Sequence, residues 1–214
     1  MSSSNPAPTP DPGTKPRRAD AARNRLKILD AARATFAEQG ASAQIDEIAR
    51  RAGVGVGTVY RHFPTKESLA RAMAEQRFTA IVAYMRDELL RDPDPWHAFE
   101  RSFEFCGTMQ EQDRGYAELV ASIAGARAPL AGGASLVGGE PLGPPPEQVE
   151  ELLALTSQLI ARARAAGVVR EDLQASDMPP LYAALAAIVH AGVRDWRRYV
   201  EIVLDGLRPQ PPPG

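Results

Sequence analysis

The sequence has one cysteine, Cys106, so no intrachain disulfide can form. Its three histidines, His62, His97 and His190, are far apart in sequence, and no cluster of Cys and His stands at metal-ligand spacing. Metal is therefore not expected, and no other cofactor is implied. No apolar run is long enough to span a bilayer, and the start MSSSNPAPTPDPGTKPRRAD lacks the hydrophobic segment of a secretory signal. The expectation is a cytoplasmic protein with no membrane contact. Lysine is scarce, 3 against 22 arginines, which reads as a coding bias and not as selection at any one site. Alternation of the strand type is rare, with Gly167-Val168-Val169 the only short candidate.

At 214 residues the chain can bury a sizeable core without covalent staples. Its net charge of −2 hides an uneven distribution. Residues 15–71 carry 12 Lys and Arg against 6 Asp and Glu, whereas residues 72–214 carry 13 against 20. A basic front end on an acidic body points to a polyanion met through one end.

Residues 1–19 are Pro, Ser and polar residues with little to bury and are expected to form a disordered tail, as is the Pro-rich end at 209–214. Between them, apolar residues recur at steps of three and four. Ala22, Leu26, Leu29 and Phe36 mark a first helix that stops at Gly40, Ile45, Ile48, Ala49 and Ala52 a second that stops at Gly53, and Val56, Val59, Tyr60 and Phe63 a third before Pro64. Thr65 can cap a fourth helix that reaches Leu89 or Leu90. Asp94-Pro95 is a good start for the next, and residues 125–146, half of them Gly or Pro, read as a loop. Further helices fit Tyr116 to Ile123, Glu147 to Ala166, Met178 to Ala191 and Arg194 to Leu207. The pattern is all-α with about nine helices. It divides into a three-helix helix-turn-helix unit at 20–65 and a larger helical domain at 66–208.

The stretch GVGVGTVY, residues 53–60, has glycines at alternate positions and so raises the question of a phosphate loop. A dinucleotide fingerprint would need its third glycine at residue 58, which is Thr58, and a strand in front, where IDEIARRA has helical spacing. A P-loop fails because no Gly-Lys-Ser/Thr follows. A helix-turn-helix fits better: Ala49 is small enough for a close crossing, Gly53 can take a positive φ in the turn, and Ile48, Val54, Val56 and Val59 can lock the two helices together. With Val56, Val59 and Phe63 inward, Gly57, Thr58, Arg61 and His62 would face outward.

The segment IDEIARRAGVGVGTVYRHFPTKESL, with LKILDAARATFAEQGA before it, closely resembles the DNA-binding domain of the TetR family of bacterial transcriptional regulators. The resemblance is strong over residues 21–70, and GVVREDL at 167–173 with the segment from Trp196 to Leu207 also looks like the family's last helices. It implies phosphate contacts from Thr58, Tyr60 and Lys66, with Gln44 and Arg25 as further contacts, and base reading by Val56, Gly57 and Arg61. It further implies an apolar effector pocket drawing on Phe99, Phe103, Met109 and Tyr116. A homodimer interface is implied through Leu181, Ala184, Leu185, Ile188, Trp196, Tyr199, Val203 and Leu207. The implied partners are a palindromic double-stranded DNA operator, a small-molecule effector and a second copy of the chain. No catalytic residues are expected. Gly55 departs from the polar residue common in the family at the start of the recognition helix. A regulator without an effector, and a helical enzyme or carrier with an incidental basic unit, remain alternatives.

Overall fold

The computed structural model describes residues 14–124, 136–137, 140–141 and 145–209. These form nine α-helices: α1 Thr14–Gln39, α2 Ile45–Ala52, α3 Val56–His62, α4 Lys66–Tyr84, α5 Pro95–Gln112, α6 Arg114–Ala124, α7 Pro146–Ala165, α8 Met178–His190 and α9 Trp196–Leu207. A two-residue antiparallel pair, β1 Leu136–Val137 with β2 Glu140–Pro141, lies in the stretch read as a loop. Gly167-Val168-Val169 is no strand: Gly167 takes a φ of +67° and turns the chain out of α7. Helix α1 starts at Thr14, inside the expected tail; residues 1–13 and 210–214 lie outside the described residues. Among the described residues no helix is long and apolar enough to cross a membrane.

Local sequence sets the boundaries of these helices. Thr65 and Ser68 form a reciprocal cap at the start of α4: the Ser68 amide donates to Thr65 Oγ1 at 3.1 Å, and the Thr65 amide donates to Ser68 Oγ at 3.2 Å. Asp94 Oδ1 accepts from the Trp96 and His97 amides at 2.9 and 3.2 Å, and Pro95 fills the first helical position of α5. Helix α4 does not end in a simple cap. It passes into a π-helical turn, Met85–Leu89, whose end is held by Arg162 of α7, which donates to the carbonyls of Leu89, Leu90 and Asp92 at 3.2, 2.7 and 2.5 Å.

Two apolar clusters organise the chain. The first gathers Ile28, Leu29 and Phe36 of α1, Ile48 and Ala49 of α2, Val59 of α3 and Leu69 and Met73 of α4. Leu119 of α6, fully buried, completes it from a distant part of the sequence. The second joins Val82 with the inner faces of α5, α7, α8 and α9 around Phe99, Phe103, Leu159, Leu185 and Trp196. Trp196 packs onto Gly107, where a Cβ would lie 2.3 Å from its ring, and its Nε1 donates to Glu111 Oε1 at 2.7 Å. Because α4 contributes to both clusters, it ties the front unit to the body.

Candidate nucleic-acid interface

The turn between α2 and α3 is built by Gly53. Its φ of +67° lets its amide bond the Arg50 carbonyl at 3.2 Å while the Val54 amide bonds Ala49 at 3.0 Å, a Schellman closure. Val59 is fully buried and seats α3 against Ile48 and Ala49. That seating turns the opposite face of α3 to solvent. Tyr60 is 51% exposed and Val56 37% exposed. Val56 therefore does not help lock the two helices as expected. It stands one turn before Tyr60 on the outward face, since only Val59 and Phe63 are at the depth of the core.

Arg61 lies along this outward face, its Nε donating to the Gly57 carbonyl at 3.0 Å and its Nη2 to Thr58 Oγ1 at 3.3 Å. An added Cβ at Gly57 would meet nothing within 4 Å. Gly55 is the N-cap of α3, in an extended conformation and without a side-chain cap, as its departure from a polar residue requires. Gln44, at the N-cap of α2, makes no side-chain cap either; its Nε2 donates back to the Ser42 carbonyl at 2.8 Å.

Two of the expected phosphate contacts are occupied within the chain. Lys66 Nζ donates to the Ala43 carbonyl at 3.4 Å and sits 5.6 Å from the centre of the Phe36 ring. Arg25 meets Glu75 Oε2 at 3.4 Å and stacks 5.5 Å from the Phe63 ring centre, so it supports the packing of α1 on α3 and α4. Arg51 is bound in fork geometry by Glu38 at 2.7 and 2.8 Å, which clamps α2 to α1 and holds the Glu38 carboxyl below its ordinary pKa.

The expected pocket and interface residues do not stay together. Phe99 and Phe103 are fully buried and meet edge to face at 5.6 Å, which is core packing and not an open lining. Tyr116 belongs to the front cluster, its ring 5.9 Å from the Arg77 guanidinium. Met109 is half-buried. Leu185, Trp196 and Leu207 face the body's interior, at 0, 1 and 8% exposure, and so cannot form an intermolecular surface. Leu181, Ala184, Ile188, Tyr199 and Val203 keep partial exposure, and Ile202, absent from the expected set, is 57% exposed.

One arrangement was not legible in the sequence. Asp113, between α5 and α6, has a buried carboxylate that accepts from Arg33 Nε of α1 at 2.9 Å and pairs with Arg77 Nη1 of α4 at 3.3 Å. Arg33 also donates to Gln76 at 3.3 Å. The Asp-Arg-Gly order at 113–115 was the available signal, because only glycine lets α6 come close enough to α1 for this pairing.

Two short helices closed by a Schellman turn, the second presenting a polar and aromatic outer face, define a helix-turn-helix protein with a separate helical body. Residues 28–73 match the family described as bacterial regulatory proteins, tetR family, and residues 95–209 match the C-terminal domain of SbtR-like transcriptional regulators. The chain belongs to the TetR family of transcriptional regulators. It is 37% identical to the TetR transcription regulatory protein from Mycobacterium vanbaalenii, with a TM-score of 0.63 over 90% of this chain and 99% of that one. A TetR regulator from Streptomyces coelicolor is 30% identical, with a TM-score of 0.62 over 87% and 99% of the two chains. The regulator SrpR of Pseudomonas putida is 39% identical over 87 residues, which is 40% of this chain but 37% of SrpR.

Proposed function

We propose that the protein is a homodimeric repressor that binds a palindromic operator and is released by a small-molecule effector. The observation that carries this reading is the outward side of α3: Val56, Gly57, Tyr60 and Arg61 are all exposed to solvent, while Val59 of the same helix is fully buried. A helix of this kind enters the major groove with its N-terminal residues at the base edges. Arg61 would leave its internal partners for a guanine edge, Thr58 and Tyr60 would bond phosphate oxygens, and Lys66 would exchange the Ala43 carbonyl for a phosphate. Residues 20–65 form the reading head and residues 66–208 the effector and dimerisation domain.

Dimerisation through the partly exposed sides of α8 and α9, at Leu181, Ala184, Ile188, Tyr199 and Val203, would present two heads roughly 34 to 36 Å apart. The partly apolar character of that surface supports the assignment. Effector binding in the body would move α4 and change the spacing of the heads, so that the operator no longer matches both. Selecting bound sequences from random DNA tests the first half of the reading, with a two-fold symmetric site expected. An enriched site without symmetry, or a monomer by sedimentation on DNA, would refute it. Adding candidate compounds to the operator complex tests the second half.

A further inference from the structure

The leading turns of α1 carry a charge that the packed part of the head does not use. Residues 14–27 hold six cationic residues, Lys15, Arg17, Arg18, Arg23, Arg25 and Lys27, against one acid, Asp20. Arg23 pairs with Asp20 inside the helix, and Arg25 is held by Glu75 and the Phe63 ring. Ile28 is the first residue of α1 in the apolar cluster among the described residues, and Ala19 to Arg23 are all exposed. From residue 14 to residue 25 there is no large apolar side chain. A helix that lies on a membrane or in a protein groove needs such a face, so this stretch suits an electrostatic partner.

The charge is also arranged by side. At about 3.6 residues per turn, Thr14, Arg18, Ala21, Ala22 and Arg25, spaced by three and four, share one side of α1. Asp20, Arg23 and Lys27 fall on the other. Arg25 fixes where the first side lies: its guanidinium stacks 5.5 Å from the centre of the Phe63 ring, and Phe63 closes α3. The side that bears Arg18 therefore continues from the end of α3. Arg18 stands two turns ahead of Arg25, about 10 Å further along the axis. The two alanines between them are small and exposed, so another backbone can come close to the helix there.

We propose that this side of α1, with Arg18 at its centre and Lys15 and Arg17 beside it, binds the phosphate backbone of DNA outside the stretch read by α3. This rests on the reading of α3 as the recognition helix and adds a second contact to it. A recognition helix turns its N-terminal residues to the base edges, so its C-terminal end, at His62 and Phe63, lies toward the wall of the groove. That wall is phosphate, which a guanidinium matches in fork geometry. Arg25, the contact expected from the first helix, is engaged inside the head, and Arg18 takes the role two turns further out. Such a contact strengthens binding to any sequence and makes it steeper in salt.

The test uses the full-length protein with its selected operator and random duplexes, titrated by fluorescence anisotropy over a range of salt. Arg18→Gln should lower affinity for both by about threefold to tenfold and reduce the salt slope by about 2 in a dimer, one phosphate from each head. Arg18→Lys should keep most of the wild-type affinity. Lys27→Gln removes the same charge from the opposite side and should leave affinity and slope near the wild-type values. Wild type should prefer an operator duplex extended by one helical turn, about 10 bp, at each end, and the triple variant Lys15→Gln, Arg17→Gln, Arg18→Gln should lose that preference. All variants should unfold at the wild-type temperature, because these positions precede the first core residue, Ile28. Arg18→Gln binding like wild type, equal losses in Arg18→Gln and Lys27→Gln, or a triple variant that keeps the flank preference would overturn the proposal. So would a triple variant that loses binding to phosphatidylglycerol vesicles while its DNA affinity is intact. No enriched operator and no effect of Arg61→Ala would refute the recognition-helix reading and this contact with it. An operator bound equally by wild type and Arg18→Gln would refute this contact alone.

Discussion

Gly115 of α6 lies against the backbone of Arg33 in α1 so closely that a Cβ would stand 1.8 Å from the Arg33 carbonyl oxygen. A backbone carbonyl within a helix cannot rotate out of the way. Gly115→Ala should therefore force α6 and α1 apart, costing about 1–3 kcal/mol or more in thermal unfolding. If α6 also helps set the orientation of the head, operator affinity of the remaining folded protein should change as well, measured by fluorescence anisotropy below the unfolding temperature.

Two of the three glycines of GVGVGTVY should respond in opposite directions. Gly57 is helical with open space where a Cβ would go, so Gly57→Ala should stabilise the head by about 0.5–1 kcal/mol. Gly53 has equal space but a φ of +67°, so Gly53→Ala should destabilise it. Urea unfolding of the two variants under one set of conditions reads both signs.

On DNA, Arg61→Ala should cost about 1–3 kcal/mol on the selected operator and little on random sequence. Lys66→Ala should weaken both alike and reduce the salt slope by about 1, and Tyr60→Phe should also lower affinity for both. Titrations over a range of salt, with specific and random duplexes, separate the two patterns.

Trp196 distinguishes core from subunit contact. Buried over Gly107 and bonded to Glu111, it should cost about 3–5 kcal/mol when changed to Ala, at any protein concentration. A residue of the proposed dimer surface, such as Tyr199, should instead change the concentration dependence of unfolding.

Asp92 should contribute to the acid limb of stability. Burial raises its pKa, but the Asp94 amide at 3.0 Å, His97 Nδ1 at 2.7 Å and Arg101 at 3.5 Å outweigh that and hold it below the ordinary aspartate value. Its contribution is complete above the unfolded value near about 4 and disappears as pH falls through the lower folded value. Asp92→Asn should remove that part of the loss, seen as a flatter fall in the urea midpoint below about pH 4.

Helical periodicity carried most of the fold because each helix has one buried stripe and a local stop signal. The reciprocal cap at Thr65, the Asp94-Pro95 start and the Gly53 turn are contacts within a few residues, so they could be read directly. Val56 was harder: on a helix of seven residues one apolar position can face either way, and Val59 alone takes the core. Trp196 and Tyr116 depended on which distant helix they meet. The Asp113 joint depended on a glycine whose importance lies in a carbonyl 82 positions away in sequence. Periodicity carries no information about such pairings.

The open space around Gly57 has a consequence for how the protein could acquire new targets. A side chain placed there meets no neighbour in the free protein, so it would not disturb the packing of α3 on α2. A single codon change could add a group to the face proposed to read DNA and redirect the regulator to another sequence while leaving its fold unaltered.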